Sequence, residues 1–199
     1  MPDQNDAALD FLLTRRSRPA KTLSAPAPDK DTLLKMLTAA ARTPDHGKLE
    51  PWRFIVLGQE TLTDLAADVE KRARALGYDE AAVEKACKPF LDGPLAVAVI
   101  ETQKPSEKIP AIERTYSTGA ACLALLNAAL AMGWGANWLS GWISHDRDFV
   151  TSALGLRESE RVAGFIYIGT ETSKPPERPR PNLSDIVSVS YTHLRAHET

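Results

Sequence analysis

The segment Pro94–Thr102, which reads PLAVAVIET, is the feature that most restricts the fold of this chain. Every residue from Leu95 to Ile100 is apolar, so the segment lacks the apolar–polar alternation of a strand with one face in water. A continuous apolar strand is typical of a central position in a sheet that is covered on both faces. We therefore expect a sheet with this strand inside it.

Helical periodicity and runs of β-formers predict further elements on both sides of this strand. The predicted helices are residues 6–14, a helix capped by Asp29, two pieces of 60–88 broken near Gly77, 112–132 and 146–154. The predicted strands are WRFIVLG at 52–58, a strand entered from GWGANWLSG at 133–141, and RVAGFIYIGT at 161–170. Because helices and strands mix without a strict βαβ repeat, we expect an α+β fold with a central mixed or antiparallel sheet flanked by helices.

Length and charge limit the organisation and the partners of the chain. Its 199 residues carry a net charge of only -2, which gives no overall attraction to nucleic acid or to an anionic membrane. We expect one domain over residues 1–171, an extended segment over 172–189, and a non-native or disordered tail, SYTHLRAHET, over 190–199. Two cysteines without metal-ligand spacing and the lack of a secretory signal predict reduced thiols in a cytoplasmic protein.

Several common catalytic and binding motifs are absent from the sequence. The glycines of GWGANWLSG do not match a dinucleotide fingerprint, and no P-loop occurs. Ser140 lacks the preceding glycine of a nucleophile elbow. His193 and His197 have helical metal-ligand spacing, but no carboxylate is placed to complete a site, so we expect no bound metal. No pair of residues forms a convincing acid–base dyad.

A basic cluster, TRRSRPAK at residues 14–21, follows the first predicted helix. Arginines near a helix end, together with the hydroxyl of Ser17, can bind a phosphate through charge-assisted hydrogen bonds. The same cluster can equally be a solvated basic patch, which is the commoner case for clustered arginines. The cluster alone leaves these two interpretations open.

Two further motifs favour the phosphate site over the solvated patch, because together with the cluster they resemble a known family. The loop ARTPDHGKLEPWRF at 41–54, the upstream RRSxR and the downstream GWGANWLSG occur in this order. Together they resemble the FMN-dependent nitroreductase family, and most closely a minimal bacterial subgroup of it. The resemblance covers about residues 9–170. It implies a nitroreductase-like fold and a homodimer with one FMN at each subunit interface.

The resemblance also implies roles for particular residues. Arg15, Arg16 and Ser17 would hold the phosphate and ribityl end of FMN. Arg42 and His46 would reach the flavin from the partner subunit.

Three residues of the downstream turn, Trp138, Leu139 and Ser140, would line the isoalloxazine ring. The subgroup usually has arginine where this chain has Leu139, which removes an ionic contact there. Lys48 stands where the wider family has asparagine, and a lysine near the pyrimidine side of a flavin would favour the anionic reduced form. Lys48 as an ordinary surface lysine is the equal alternative.

The implied activity is a ping-pong oxidoreductase reaction. NAD(P)H would deliver hydride to N5 of the flavin, and a nitroaromatic, quinone or similar flat acceptor would then take the electrons. The flavin carries this chemistry, so no catalytic side chain is expected. Three alternatives remain open: an offshoot of the family that uses flavin and oxygen, a non-catalytic flavin-binding or regulatory protein, and an interaction module for a phosphorylated partner.

Overall fold

The computed structural model describes residues 3–189, so the predicted tail at 190–199 lies outside the described residues. The helices are α1 Asp6–Thr14, α2 Lys30–Ala41, α3 Gln59–Ala75, α4 Glu80–Asp92, α5 Ala111–Ala131, α6 Trp142–His145, α7 Arg147–Leu154 and α8 Leu183–Ile186. The strands are β1 Leu23–Ser24, β2 Trp52–Gly58, β3 Leu95–Thr102, β4 Gly135–Leu139 and β5 Glu160–Glu171. Short 3₁₀ turns occur at Ala20–Thr22 and His46–Lys48.

The five strands form one open antiparallel sheet. Strand β3 lies inside the sheet, between β2 and β5, as the apolar run PLAVAVIET predicts. The far edge of β5 pairs with β4 along residues 165–169 and with β1 at 170–171. The predicted α+β fold with a central sheet flanked by helices is confirmed, and the sheet is antiparallel throughout.

Each face of the sheet carries its own hydrophobic core. Along β3, Ala96, Ala98 and Ile100 point to one face, where α3, α4 and α7 pack. Val97 and Val99 point to the other face, which α2 and α5 cover. Both sets of side chains are fully buried. This alternation explains why β3 is apolar at every position, since both of its faces lack contact with water.

Helix α5 runs along the hydrophobic core that α2 and α5 cover. Its 21 residues span about 30 Å, given a rise of 1.5 Å per residue. It ends at Ala131, and the chain then turns through Gly133, whose φ of 83° suits glycine. The turn leads directly into β4. The two ends of α5 therefore lie about 30 Å apart on this face of the sheet.

The sequence missed three short elements and one helix end. Strand β1, helix α6 and helix α8 have four residues or fewer, so they show no periodicity. Helix α4 continues to Asp92 and contains Pro89. Both cysteines, Cys87 and Cys122, are buried free thiols, as predicted.

Candidate functional site

The basic cluster lies in the segment that follows α1 and precedes β1, and this segment contacts β4 through Arg18. Helix α1 begins with a side-chain cap from Asn5 to the amide of Ala8 at 3.0 Å, and it ends at Thr14 because Arg15 adopts extended angles. Arg15, Arg16 and Arg18 then line a cavity of about 670 Å³, which we call the arginine cavity. Leu130 and Trp134, at the carboxyl end of α5, form part of its apolar wall.

Arg18 has a structural role in this segment. Its amide donates to the carbonyl of Ala136 at 2.8 Å, and its carbonyl accepts from the side-chain amide of Asn137 at 2.7 Å. Its guanidinium pairs with Glu171 at 3.2 Å. These contacts attach the segment to β4 and β5, so Arg15 and Arg16 are held beside the edge of the sheet.

Arg15 and Arg16 differ from Arg18 because no carboxylate of residues 3–189 pairs with them. The Nε atoms of both are buried without a hydrogen-bond partner in this part of the chain. Arg15 donates through Nη2 to the hydroxyl of Ser17 at 3.0 Å. Burial, followed by the charges of Arg180, Arg16 and Arg18, lowers the pKa of Arg15. An anion in the arginine cavity would offset this accumulated positive charge.

The segment after β5 adds charged residues that the sequence reasoning did not assign to the site. Lys174 and Glu177 line the arginine cavity. Arg180 pairs with Glu177 at 2.9 Å, and the positive charge of Arg180 helps to lower the pKa of Arg15 after burial. The signal available in the sequence was the pair of arginines in RPRP after the last strand. This segment was expected only to be extended on the surface.

The cavity also offers a hydrogen-bond acceptor. Glu171 uses Oε2 for Arg18, while its Oε1 is buried and has no partner among the described residues. A carboxylate oxygen can accept from a hydroxyl but repels a phosphate. The arrangement therefore suits a ligand that carries both an anionic group, near Arg15 and Arg16, and hydroxyl groups.

The downstream turn sends its side chains to two faces of the sheet. Trp138 pairs with Ile166, and its side chain lies on the face of the sheet that α5 covers. The indole packs directly over Gly164, where any side chain would clash with the indole Nε1. Leu139 pairs with Phe165 and packs into the opposite core. The side chains of Trp138 and Leu139 therefore lie on opposite faces of the sheet, so one flat ring cannot lie against both; that Trp138, Leu139 and Ser140 line the ring stays a prediction. A ligand on the face of Trp138 can contact only the backbone of Leu139.

The predicted partner-facing loop lies at the other end of α5. Arg42, His46 and Lys48 are all exposed. The Nδ1 atom of His46 contacts Oε2 of Glu113, in the first turn of α5, at 2.7 Å. The arginine cavity is at the last turn, where Leu130 lines it, about 26 Å away along the helix. Within one chain, the structure does not bring the two groups together.

The loop itself has an unusual backbone. Gly47, Lys48 and Glu50 all have positive φ, at 74°, 54° and 47°. The side chain of Asp45 accepts from the amide of Glu50 at 2.9 Å, which holds this conformation. Asp45 thus shapes the loop. A positive φ is uncommon for a residue other than glycine, and here both Lys48 and Glu50 have one.

Comparison with known proteins decides the family. The family model described as Nitroreductase family matches residues 12–170. The chain is 36% identical over 167 residues to a protein of Escherichia coli (strain K12) named "Putative NAD(P)H nitroreductase YdjA". That match covers 84% of this chain and 90% of the relative. The chain belongs to the nitroreductase family. It is therefore an oxidoreductase, as the motifs predicted.

Solved structures share the fold of this nitroreductase-family chain. A nitroreductase-like family protein from Bacillus cereus has a TM-score of 0.76 at 23% identity, covering 96% of this chain and 98% of that one. A nitroreductase with bound FMN from Bacteroides fragilis NCTC 9343 has a TM-score of 0.71 at 19% identity, covering 94% and 100%. At these identities, the likeness establishes the fold.

Within residues 3–189, no three histidine, cysteine or acidic side chains come together in a way that could hold a metal ion. Over the same residues, none of the helices has the length and apolar character needed to span a bilayer. His193 and His197 lie outside the described residues.

Proposed function

We propose that this chain is an FMN-dependent oxidoreductase that takes hydride from NAD(P)H and reduces nitroaromatics, quinones or similar flat acceptors by a ping-pong mechanism. We further propose that it works as a homodimer with one FMN at each subunit interface. Family membership supports the redox class, and a neighbour of the same fold carries bound FMN. The name of the YdjA relative supports NAD(P)H as electron donor.

One observation carries the cofactor assignment, namely the buried Nε atoms of Arg15 and Arg16, which have no hydrogen-bond partner among the described residues. FMN offers a phosphate and a chain of hydroxyl groups. Arg15 and Arg16 would bind the phosphate, and Ser17, already held by Arg15, would accept or donate beside it. Oε1 of Glu171 would accept from a ribityl hydroxyl. Each unsatisfied group in the cavity thus finds a chemically matched partner.

The flavin ring would lie along β4 on the face of Trp138. Trp138 is 37% exposed, which is unusual for an indole beside a central sheet. Ser140 is also exposed, immediately after the strand. The ring would stack on the apolar surface that Trp138 provides, while Leu139 contributes backbone groups only.

Exposed apolar side chains support the homodimer. Helix α1 buries no residue, and Leu12 and Leu13 on it are 59% and 72% exposed. On α5, Ile112 and Tyr116 are 51% and 68% exposed. Large exposed apolar side chains of this kind are a feature of protein–protein interfaces. A second copy would cover this surface.

The dimer would also complete the site. Arg42, His46 and Lys48 are too far from the arginine cavity of their own chain to share a ligand with it. The corresponding loop of a partner subunit could approach the flavin, with His46 held by Glu113. We therefore propose that each flavin site combines the arginine cavity of one subunit with this loop of the other.

Bound FMN would supply the hydride acceptor and donor, so the chain needs no catalytic side chain of its own. The chain's residues bind and orient. Arg15 and Arg16 fix the phosphate end, Trp138 limits access of water to one face, and His46 positions the loop. No acid–base group is assigned to proton transfer.

The decisive experiment compares FMN affinity in two matched variants. Arg16→Ala should weaken FMN binding by roughly 30- to 150-fold, because a charged hydrogen-bonded group contributes on the order of 2–3 kcal/mol. Lys21→Ala removes a cation of the same basic cluster that does not line the cavity, and it should leave the affinity within about twofold. Fluorescence titration of the flavin gives both values.

Two results would overturn the proposal. Equal FMN affinity in Arg16→Ala and Lys21→Ala would remove the phosphate assignment. FMN that is retained by the wild-type protein but is not bleached by NADH or NADPH under anaerobic conditions would reject the proposed reaction while leaving flavin binding intact.

A further inference from the structure

Two buried charged residues, Glu101 and Arg114, have no part in the proposed flavin chemistry. Glu101, near the end of β3, is 3% exposed, and Arg114, in the first turn of α5, is 8% exposed. Burying a charged side chain costs free energy unless hydrogen bonds compensate for the lost water. The hydrogen bonds of these two residues show which part of the molecule they hold in place.

A chain of side-chain hydrogen bonds joins the two residues. The side-chain amide nitrogen of Gln103 donates to the carboxylate of Glu101, and Nε of Arg114 donates to the side-chain oxygen of Gln103. Thr115 and Arg161 also donate to the carboxylate of Glu101, each at 2.8 Å. The network therefore connects β3, β5 and the start of α5.

Arg114 extends this network to Ile109, in the connection between β3 and α5. Its Nη1 atom donates to the carbonyl of Ile109 at 2.8 Å. The amide of Ile109 donates to the hydroxyl of Ser106 at 3.1 Å. Because Ile109 is also only 8% exposed, the fold holds both its backbone and its side chain.

The side chain of Ile109 supports the loop around Gly47. Its Cδ1 atom occupies the space that a side chain at Gly47 would need. Gly47 has a φ of 74°, so the loop turns at this contact. The neighbouring His46 contacts Glu113, the residue before Arg114, at 2.7 Å. Two consecutive residues of α5 therefore hold the loop: Glu113 contacts it directly, and Arg114 acts through Ile109.

From these contacts we propose that Arg114 is a positioning residue of the flavin site. It fixes Ile109, and Ile109 determines where the loop presents His46 and Lys48 to the flavin bound by the other subunit. The effect on the flavin rests on the proposed function. The support of the loop by Ile109 rests only on contacts within one chain.

Amide hydrogen exchange, followed by NMR on the full chain without FMN, tests the support of the loop. The reporter is the amide of Glu50, which donates to Asp45 at 2.9 Å. Arg114→Met should speed its exchange about 3- to 10-fold, the effect of losing one hydrogen bond, while the amides of β3 keep their rates. Arg161→Met is the matched control, because Arg161 donates to the network and not to Ile109. It should change the Glu50 rate less than about twofold.

A double variant shows whether Arg114 acts through Ile109. Ile109→Ala removes the contact with Gly47 and should speed Glu50 exchange as Arg114→Met does. Because both changes break the same path, combining them should add less than about twofold to either alone. Arg114→Lys can still donate to the Ile109 carbonyl, so it should keep the Glu50 rate within about twofold of wild type. This variant and Ile109→Ala decide the question if Arg114→Met does not fold.

Fluorescence titration and the visible absorption spectrum of bound FMN measure the effect on the flavin. Arg114→Met should weaken FMN binding about 3- to 10-fold and shift the visible bands, because the loop no longer meets the ring in one arrangement. Arg161→Met should do neither.

Three results would reject the inference. Arg114→Met and Arg161→Met could change Glu50 exchange equally, the amides of β3 could speed up in the same proportion as Glu50, or a faster Glu50 exchange could leave FMN affinity and spectrum unchanged. A wild-type protein that binds no FMN would reject the proposed function and with it the effect on the flavin. The exchange rates would still decide whether Arg114 holds the loop.

Discussion

Two arginine sites in this molecule have opposite charge balance. Arg53, on β2, donates two hydrogen bonds to Glu160, at 2.7 and 2.9 Å, and that carboxylate is 2% exposed. Arg15 and Arg16 have buried Nε atoms but no carboxylate partner in the described chain. In the first site the protein supplies the anion. In the second, the carboxylates that line the cavity pair with Arg18 and Arg180, and within residues 3–189 they leave Arg15 and Arg16 without an anion.

This difference separates structural arginines from ligand-binding ones. The hydrogen bonds from Arg53, together with one from the amide of Arg157, lower the pKa of Glu160 to about 2, so the pair is charged at any ordinary pH. In the arginine cavity, burial and then the neighbouring positive charges lower the pKa of Arg15. A paired site stabilises the fold by itself, whereas an unpaired one is best satisfied when an anion binds.

The largest expected effect comes from breaking the paired site. Arg53→Ala leaves Glu160 buried without its partner and should lower the free energy of unfolding by about 2–3 kcal/mol. This lies below the usual range because Arg53 is 37% exposed. Urea unfolding of the FMN-free protein measures the change. Arg74→Ala, whose partners Glu70 and Glu80 are exposed, should have little effect. A similar loss in both variants would show that the burial of Glu160 does not matter.

Acid titration sharpens the same comparison. Because folding lowers the pKa of Glu160 from about 4.5 to about 2, the pair contributes its stability above pH 4.5 and loses it as the pH falls toward 2. Glu160→Gln should therefore differ most from wild type at neutral pH. The difference should shrink by up to about 1.4 kcal/mol per pH unit between these limits. Unfolding curves at several pH values test this. A difference that stays constant with pH would contradict it.

The smallest expected effect concerns the unpaired site. Inorganic phosphate should stabilise the FMN-free protein by about 1 kcal/mol at five times its Kd, because it binds only the folded arginine cavity. Arg15→Met should lose this gain, and Arg53→Ala should keep it. Thermal unfolding in phosphate and in sodium chloride of equal ionic strength provides the measurement. Equal stabilisation by both salts would mean that general screening is the cause.

The sequence predicted the long elements well because their patterns are local. The apolar run of β3 predicted its central position, and the periodicity of α5 predicted a helix within one residue of its observed ends. Elements of two to four residues, such as β1 and α6, were missed. Their conformation depends on pairing with β5 and on packing against it, and neither interaction leaves a periodic pattern.

The site was less predictable because it depends on contacts distant in the chain. Resemblance placed Arg15 and Arg16 at the phosphate, and both line one cavity. Nothing local distinguishes them from Arg18, which Glu171 neutralises from the other end of the chain. The contribution of Lys174 and Arg180 was likewise invisible. The opposite direction of Leu139 follows from strand alternation, which the motif comparison did not include.

The length of α5 has a genetic consequence in the proposed dimer. The last turn of α5 lies beside the arginine cavity, which would bind the phosphate in one flavin site. Its first turn holds His46 through Glu113, and the loop of His46 would contact the flavin in the other site. A substitution at Arg16 would therefore affect the site that uses the arginine cavity of the altered subunit. A substitution at His46 would affect the other site, which uses the loop of that subunit. Two defective alleles, one broken at Arg16 and one at His46, would assemble mixed pairs in which one of the two sites is whole. If the proposed dimer forms, interallelic complementation would follow from the placement of these two residues at opposite ends of α5.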